Sequence, residues 1–463
     1  MESIATSTPS AHDYPPGFRA RRVRNWFFLG LLYAAYYLCR YNLSTVTPEM
    51  AKELGYNNQQ TGQMSTARDL GYAVGTFVNG LFADALGGKQ SMAIGALATI
   101  VLNLAFGWYS TWGLDAAVLL VGFVVIRLFD GYGQAFGSPG MVKINTAWFR
   151  RTERGQFSGI FGAMIQLGAI SVNQLSKYLL GGFSFALFGV AFFTIGKLDW
   201  RTMFVVPPII LAAILVVSWL TVRNTPEDAG YSIPVDPGAR DIETPAPQPP
   251  LSVVFATIAS NPLVWVNAAA YFCTGFVRRA TDFWAFKYLD NVWHVGKQDP
   301  AFGWMGFLLP ASAVVGSFAA GWLSDKVFRS RRSPVAALLY GLETVVIAAS
   351  VWILGYSPYA SVTVACTALV LISLTCNTSH SIIGSAAVMD IGGRHMAGFA
   401  LGVINSFQYF GAILAGWVLG MLIDTDKEKW IPLFAAMLPF SLIATVLMAV
   451  LAWRTRGREV RGA

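Results

Sequence analysis

The chain has 463 residues, of which 55% are hydrophobic and only 13% charged. A water-soluble globular chain carries about 25% charged residues, so this composition argues against a soluble protein and for many membrane spans. The formal net charge of +8 is divided among short basic clusters between apolar runs, which reads as a topology signal rather than a nucleic-acid surface.

The first 24 residues are polar, contain proline and lack the apolar core of a cleavable signal peptide. They read as an N-terminal cytoplasmic tail, 1–24. At roughly 20 apolar residues per spanning helix, twelve spans are predicted near 25–46, 62–84, 90–110, 114–138, 156–182, 202–222, 262–290, 302–323, 334–355, 359–385, 397–422 and 431–453. The clusters RARRVR (19–24), RRTER (150–154), KVFRSRR (326–332) and RTRGREVRG (454–462) then all fall on one side. That is the positive-inside pattern with both termini cytoplasmic. A polar segment rich in proline and acidic residues, 223–258, reads as a flexible linker. It separates a first six-helix half, 25–222, from a second, 259–453, and 454–463 forms a short tail. The apolar stretch 183–196 is not needed as a span and is expected to extend span 5 or lie at the outer interface. The four cysteines, Cys39, Cys273, Cys366 and Cys376, fall in apolar segments without metal or disulfide spacing.

The halves repeat at an offset near 240 residues. GLFADALGGK (80–89) after span 2 and GWLSDKVFR (321–329) after span 8 both read Gly-x-x-x-Asp followed by basic residues, as Gly80/Asp84 and Gly321/Asp325. Tyr33 and Arg40 are matched by Tyr271 and Arg278, each pair 238 apart, and Arg154 by Arg394, 240 apart. Parallel six-helix repeats are a carrier architecture with the binding site between the halves. The expected fold is therefore an all-α membrane protein of twelve transmembrane helices in two pseudo-symmetric halves. The Gly-x-x-x-Asp loops, and RLFDGYGQAFG (127–137) in span 4, resemble motifs of the major facilitator superfamily. Asp84 and Asp325 are expected to lock one side of the molecule rather than to touch a ligand.

Two arginines lie within spans. Counted from Trp26 and Leu263, Arg40 is roughly 21 Å and Arg278 roughly 22 Å along its helix. The duplication sets them at similar depth on opposite halves. Tyr33, Tyr36 and Tyr37 share the Arg40 face. Charge in hydrocarbon is costly unless it faces a polar path or a partner. Two guanidinium forks around one cavity suit a dianion, and phosphate monoesters fit. The alternatives are Arg40 snorkelling to the outer headgroups, Arg278 pairing with Asp282, and Asp130 neutralising Arg127 or Arg40. Arg279, about 100° from Arg278 around the helix, is expected to lie off the cavity.

YAAYYLCRYN (33–42), VRRATDFWAFKYL (277–289), RNTPEDAGY (223–231) and SDKVFRSRR (324–332) resemble the organophosphate:phosphate antiporter family of the superfamily. The resemblance implies exchange of an organic phosphate for inorganic phosphate as the halves rock around a central site, with no cofactor and no metal. It implies that Arg40 and Arg278 grip the phosphoryl group and that Tyr33, Tyr37, Tyr72 and Tyr409 surround it. Thr76 stands where many relatives carry a lysine, and Ile165 where glycerol-3-phosphate transporters carry a histidine.

Asp130, Gln134, Gln166, Asn377, His380, Asn405 and Gln408 are polar residues available to read an organic moiety; Gln134 and Asn405 are carried as substrate-binding candidates. No nucleotide-binding loop, metal cluster or nucleophile elbow marks an enzyme. The leading expectation is a secondary transporter of phosphorylated small anions, acting as a monomer in the cell (inner) membrane, with a phosphate ester and inorganic phosphate as its ligands and no nucleic-acid partner. Two others stay open. One is a proton-coupled carrier of another anion or a drug, using Asp130, Asp282 or His380. The other is a sugar-phosphate sensor with the same fold.

Overall fold

Pro262 opens a helix because Asn261 caps it: the Asn261 side-chain oxygen accepts the Leu263 amide at 3.0 Å, and proline needs no donor at the first helical position. A computed structural model describes residues 14–149, 151–187, 190–231, 260–328, 332–383, 388–426 and 428–455, and its described residues form twelve long helices. Side chains outside the described set include those of residues 80–85, 151–161, 325 and 388–403.

The helices are α1 (Phe18–Leu54), α2 (Asn58–Leu86), α3 (Gly88–Tyr109), α4 (Ala116–Gln134, resuming as Gly137–Trp148), α5 (Arg151–Gly181) and α6 (Val206–Thr221), followed by α7 (Pro262–Trp293), α8 (Pro300–Trp322), α9 (Arg332–Tyr356), α10 (Val362–Ser381), α11 (Val388–Leu422) and α12 (Ile431–Ala435, resuming as Met437–Thr455). Eight of the described helices are long and apolar enough to cross a membrane by length and composition. The other four, α1, α2, α5 and α7, are 29 to 37 residues long. They miss that standard because they carry the polar residues that face the centre of the bundle. Their outer counterparts turn apolar residues outward: Val101, Val121, Val216, Val345 and Val446 are all more than half exposed, as expected of lipid-facing positions.

The repeat is visible in backbone packing. A Cβ on Gly168 of α5 would stand 2.1 Å from the carbonyl of Ala34 on α1, and a Cβ on Gly411 of α11 would stand 1.9 Å from that of Phe272 on α7. Ala34 and Phe272 are 238 residues apart, the same offset as Arg40 and Arg278. In each half a glycine lets two helices touch backbone to backbone just before the arginine-bearing turn, so the two arginines emerge from equivalent places.

The stretch 183–196 does not extend α5 as a helix. Phe183–Leu187 (β1) and Val190–Ile195 (β2) pair antiparallel, with Phe183 opposite Ile195 and an irregularity at Phe185/Ala186. Its aromatic and β-branched residues favour a strand once the chain turns back on itself. The first residues of the expected linker are held: Asn25 accepts the Arg223 amide at 2.7 Å, and Trp148 donates to the Arg223 carbonyl at 3.1 Å. Residues 232–258, the rest of that linker, lie outside the described residues, as does residue 259.

The end of the bundle opposite the N-terminus, here the distal end, is shut. Lys297 donates to the Thr45 carbonyl, Lys287 to Thr61 at 3.1 Å and Asn58 to Asp424 at 2.7 Å, and Lys52 pairs with Asp290 at 2.7 Å. Each contact joins one half to the other.

Candidate functional site

Heptad-like spacing on α1 puts Tyr33, Tyr37, Arg40, Tyr41 and Ser44 on one inward stripe. Arg40 does not snorkel. It is only 9% exposed, and its guanidinium carbon lies 4.5 Å from the Tyr37 ring centre and 4.6 Å from that of Tyr72. Two ring faces thus clasp the cation. Its Nε donates to the Gln134 side-chain oxygen at 2.9 Å. The Gln134 amide nitrogen donates to both oxygens of Asp130, at 3.0 and 3.1 Å, and Asp130 pairs with Arg127 at 3.0 Å. Asp130 therefore neutralises Arg127 and reaches Arg40 only through Gln134. Arg40 Nη2 is buried with no partner, which leaves a donor for a ligand.

Arg278 is held from two sides. Its Nη1 meets His380 Nε2 at 3.2 Å, and its Nε lies 3.5 Å from Asp282 Oδ2, one turn on. Arginine can only donate, so His380 Nε2 accepts and the ring proton belongs on Nδ1. There the Gln408 amide nitrogen lies at 3.3 Å, and turning that amide over presents its oxygen to accept the proton. His380 also stacks on Tyr271, with ring centres 5.2 Å apart. The Arg278–Asp282 pair is present, yet Nη2 of Arg278 has no protein partner among the described residues.

Two more arginines join them. Arg68 of α2 and Arg279 of α7 both donate to Asp69 Oδ1, the latter at 2.5 Å. The expectation that Arg279 lies off the cavity is wrong. It lines the same chamber as Arg278, because that chamber wraps around the inward wedge of α7 and a long side chain spans the 100° step. Arg68, Asp69 and Tyr41 were not singled out from the sequence. The rule that marked Arg40, an ionisable residue inside a span, marks the Arg68–Asp69 pair equally well. Tyr41 donates to Asp282 Oδ2 at 3.1 Å.

These residues form two adjoining chambers. The first, about 60 Å3, is lined by Arg40, Arg68, Arg278, Arg279 and Asp282 with Tyr37, Tyr41, Gln408 and Tyr409. A buried water needs about 10–15 Å3 on this scale, so the space suits a few waters or one phosphoryl group. The second, about 30 Å3, shares Tyr41, Arg278 and Asp282 and adds Gln166, Asn173 and Asn377 with apolar Phe286, Leu309 and Pro310. Four lining guanidiniums stand against two carboxylates, Asp282 and the directly paired Asp69. The local surplus is two positive charges.

Tyr33 packs beside Tyr36 and Tyr37 at centroid distances of 6.0 and 5.8 Å, and Tyr72 meets Tyr409 at 4.8 Å across the halves. Gln134 sits behind Arg40, fully buried. Asn405, one turn before Gln408 and Tyr409 on α11, lines neither chamber. Thr76 returns its hydroxyl to the Tyr72 carbonyl at 2.8 Å. Gly80 and Gly321 belong to the N-terminal-side ends of α2 and α8, and Asp325 to the π-helical turn Leu323–Val327; the side chains of Asp84, Asp325, Arg154 and Arg394 lie outside the described residues. Among the described residues no group of three His, Cys, Asp or Glu side chains is placed to hold a metal ion.

Comparison with known proteins follows the same lines. The sequence profile of the Major Facilitator Superfamily matches residues 29–416. The chain is 27% identical to the glycerol-3-phosphate transporter of Bacillus subtilis (strain 168), over 95% of this chain and 94% of that one. It is 26% identical to a probable hexose phosphate transport protein of Chlamydia pneumoniae, covering 95% and 93%. It is 25% identical to the membrane sensor protein UhpC of Escherichia coli (strain K12), covering 85% and 84%. Among solved structures, the fold is shared with a bacterial homolog of the human lysosomal transporter Spinster, in an inward-facing and unoccupied conformation, at TM-score 0.70, 17% identity and coverage of 93% and 95%. It is shared too with a D-xylose–proton symporter, at TM-score 0.69, 13% identity and coverage of 92% and 96%.

Proposed function

Since the chain belongs to the major facilitator superfamily and is a multi-pass membrane protein, we propose that it carries phosphate monoester dianions across the membrane in exchange for inorganic phosphate. The observation that carries this reading is the surplus of two positive charges in a chamber of phosphoryl size, with Arg40 Nη2 buried and unpartnered. The likeness to transporters named for glycerol 3-phosphate and hexose phosphate supports the same ligand class.

A ligand drives closure only by binding the closed state better. A dianion that bridges Arg40 on one half and Arg278 on the other does so. Without it the surplus cations repel as the halves approach, so the empty carrier returns slowly and exchange is obligatory. The basic clusters favour an orientation with the N-terminal side of the bundle and both termini in the cytoplasm and the shut distal end outside. The working unit in this reading is a monomer in the inner membrane of a bacterial cell, which is supported by both chambers being lined by residues of one chain.

Labelled phosphate uptake into proteoliposomes tests this. Uptake is expected into vesicles preloaded with phosphate and not into phosphate-free ones. Equal rates into both would remove obligatory exchange, and no uptake by folded protein would remove transport of phosphate. The likeness to a membrane sensor protein favours a second reading, in which the same ligand binds and no flux follows; the uptake assay separates the two.

A further inference from the structure

Arg278, Asp282 and Tyr41 form the partition between the two chambers. We propose that the second chamber selects esters whose organic part is an uncharged polyhydroxyl group and rejects esters that carry a carboxylate. This deepens the exchange reading above and rests on it.

The second chamber is rich in acceptors. Asn173 spends its side-chain nitrogen on the Gly306 carbonyl at 3.0 Å, and Asn377 spends its own on the Ser373 carbonyl at 2.8 Å. A carbonyl can only accept, so both amides are fixed with nitrogen toward the backbone. Their oxygens have no partner among the described residues. Both residues are more than nine-tenths buried. Asp282 adds a carboxylate whose Oδ2 already receives Tyr41 at 3.1 Å. Gln166 makes no hydrogen bond among the described residues and can serve as donor or acceptor.

Hydroxyl groups donate to such acceptors, whereas a carboxylate is acceptor-only and brings a second charge next to Asp282. The chamber offers that charge no cation beyond Arg278, which the phosphoryl group and Asp282 already engage. Lys177, a turn beyond Asn173 on α5, runs along Gly303 and lines neither chamber. A site built for hydroxyl donors discriminates strongly because a wrong ligand leaves its buried polar groups unpaired, and like-charge placement adds repulsion.

The test is displacement of labelled inorganic phosphate from the purified full chain in lipid nanodiscs. The competitors are glycerol 3-phosphate and 3-phosphoglycerate, which share a three-carbon skeleton and differ by hydroxymethyl against carboxylate. Glycerol 3-phosphate is expected to compete at least tenfold more tightly, and Gln166→Lys to narrow that ratio at least fivefold by supplying a cation. If phosphate binds while the two esters compete equally, or the phosphoglycerate wins, the selectivity inference is overturned and the phosphate site stands. An unchanged ratio in Gln166→Lys also overturns it. If labelled phosphate itself does not bind, both readings fall.

Discussion

Arg40 and Gln134 are joined by a single hydrogen bond of 2.9 Å, from the guanidinium Nε to the amide oxygen. That bond fixes the plane of the guanidinium between two tyrosine rings and turns its outer edge toward the ligand chamber. The glutamine is itself anchored to Asp130, so the chain Arg127–Asp130–Gln134–Arg40 transmits a fixed geometry from the wall of the first half to its centre.

Replacing Arg40 or Arg278 by lysine keeps the charge and removes the fork. Each loses at least one charge-assisted hydrogen bond to phosphate, about 1.5–3 kcal/mol, or roughly ten- to 150-fold in affinity. Phosphate exchange in proteoliposomes is expected to fall by at least tenfold in each single variant. Retention of wild-type exchange by either one would show that the dianion is not bridged between the halves.

Gln134 contributes through Arg40, and two substitutions separate position from charge. Gln134→Leu frees the guanidinium to reorient and should raise the KM for phosphate by about three- to tenfold, from loss of one hydrogen bond worth about 1 kcal/mol. Gln134→Glu supplies a carboxylate in direct reach of Arg40 and should abolish phosphate binding altogether. If both variants behaved alike, Gln134 would be structural only.

Much of this arrangement is legible in the chain. The apolar runs, the 238-residue offset and an arginine within each inner helix require no structure, because membrane solvation leaves few places for a charge. What was not legible has two causes. The hairpin at 183–195 arises where apolar strand-forming residues meet a reversal that hydropathy alone does not register. The Asp69 bridge to both Arg68 and Arg279 depends on how α2 and α7 approach across the pseudo-symmetry axis, and no periodicity within either helix encodes that approach. Treating adjacent arginines as opposed vectors failed for the same reason, since the cavity curves around the helix.

Asp69 is fully buried between two guanidiniums. Asp69→Asn leaves Arg68 and Arg279 facing each other without an anion. Removal of one partner from such a buried pair costs about 3–5 kcal/mol, so the melting temperature in detergent should fall clearly. Adding Arg279→Met should restore part of that loss, because one of the two orphaned charges is gone. Additive losses in the double variant would show that the two residues do not interact.

The distal closure depends on Lys297, which is 8% exposed, donates to the Thr45 carbonyl and lies 3.6 Å from Glu49. Lys297→Met removes both interactions while keeping most of the side-chain volume. The halves should then part more readily at that end. Spin labels at exposed Asn57 and Glu428, one on each half, should report a larger population of long distances than in the parent protein. An unchanged distance distribution would assign closure to Lys287 and Asp424 instead.

His380 decides between phosphate exchange and proton coupling. Its Nε2 accepts from Arg278 and its Nδ1 faces the Gln408 amide, so both nitrogens are committed to orienting Arg278. Protonating Nε2 would set a donor against a donor. On the exchange reading, a residue so bound positions its partner rather than carrying the transported proton. His380→Gln, whose side-chain oxygen can accept from Arg278, should therefore keep at least half of the phosphate exchange. Its pH profile should follow the second ionisation of inorganic phosphate, about one unit above the value near 6 of a monoester, in parallel with the parent protein. Loss of exchange with a displaced pH profile would identify His380 as a proton carrier, and the proton-coupled reading would then replace the one proposed.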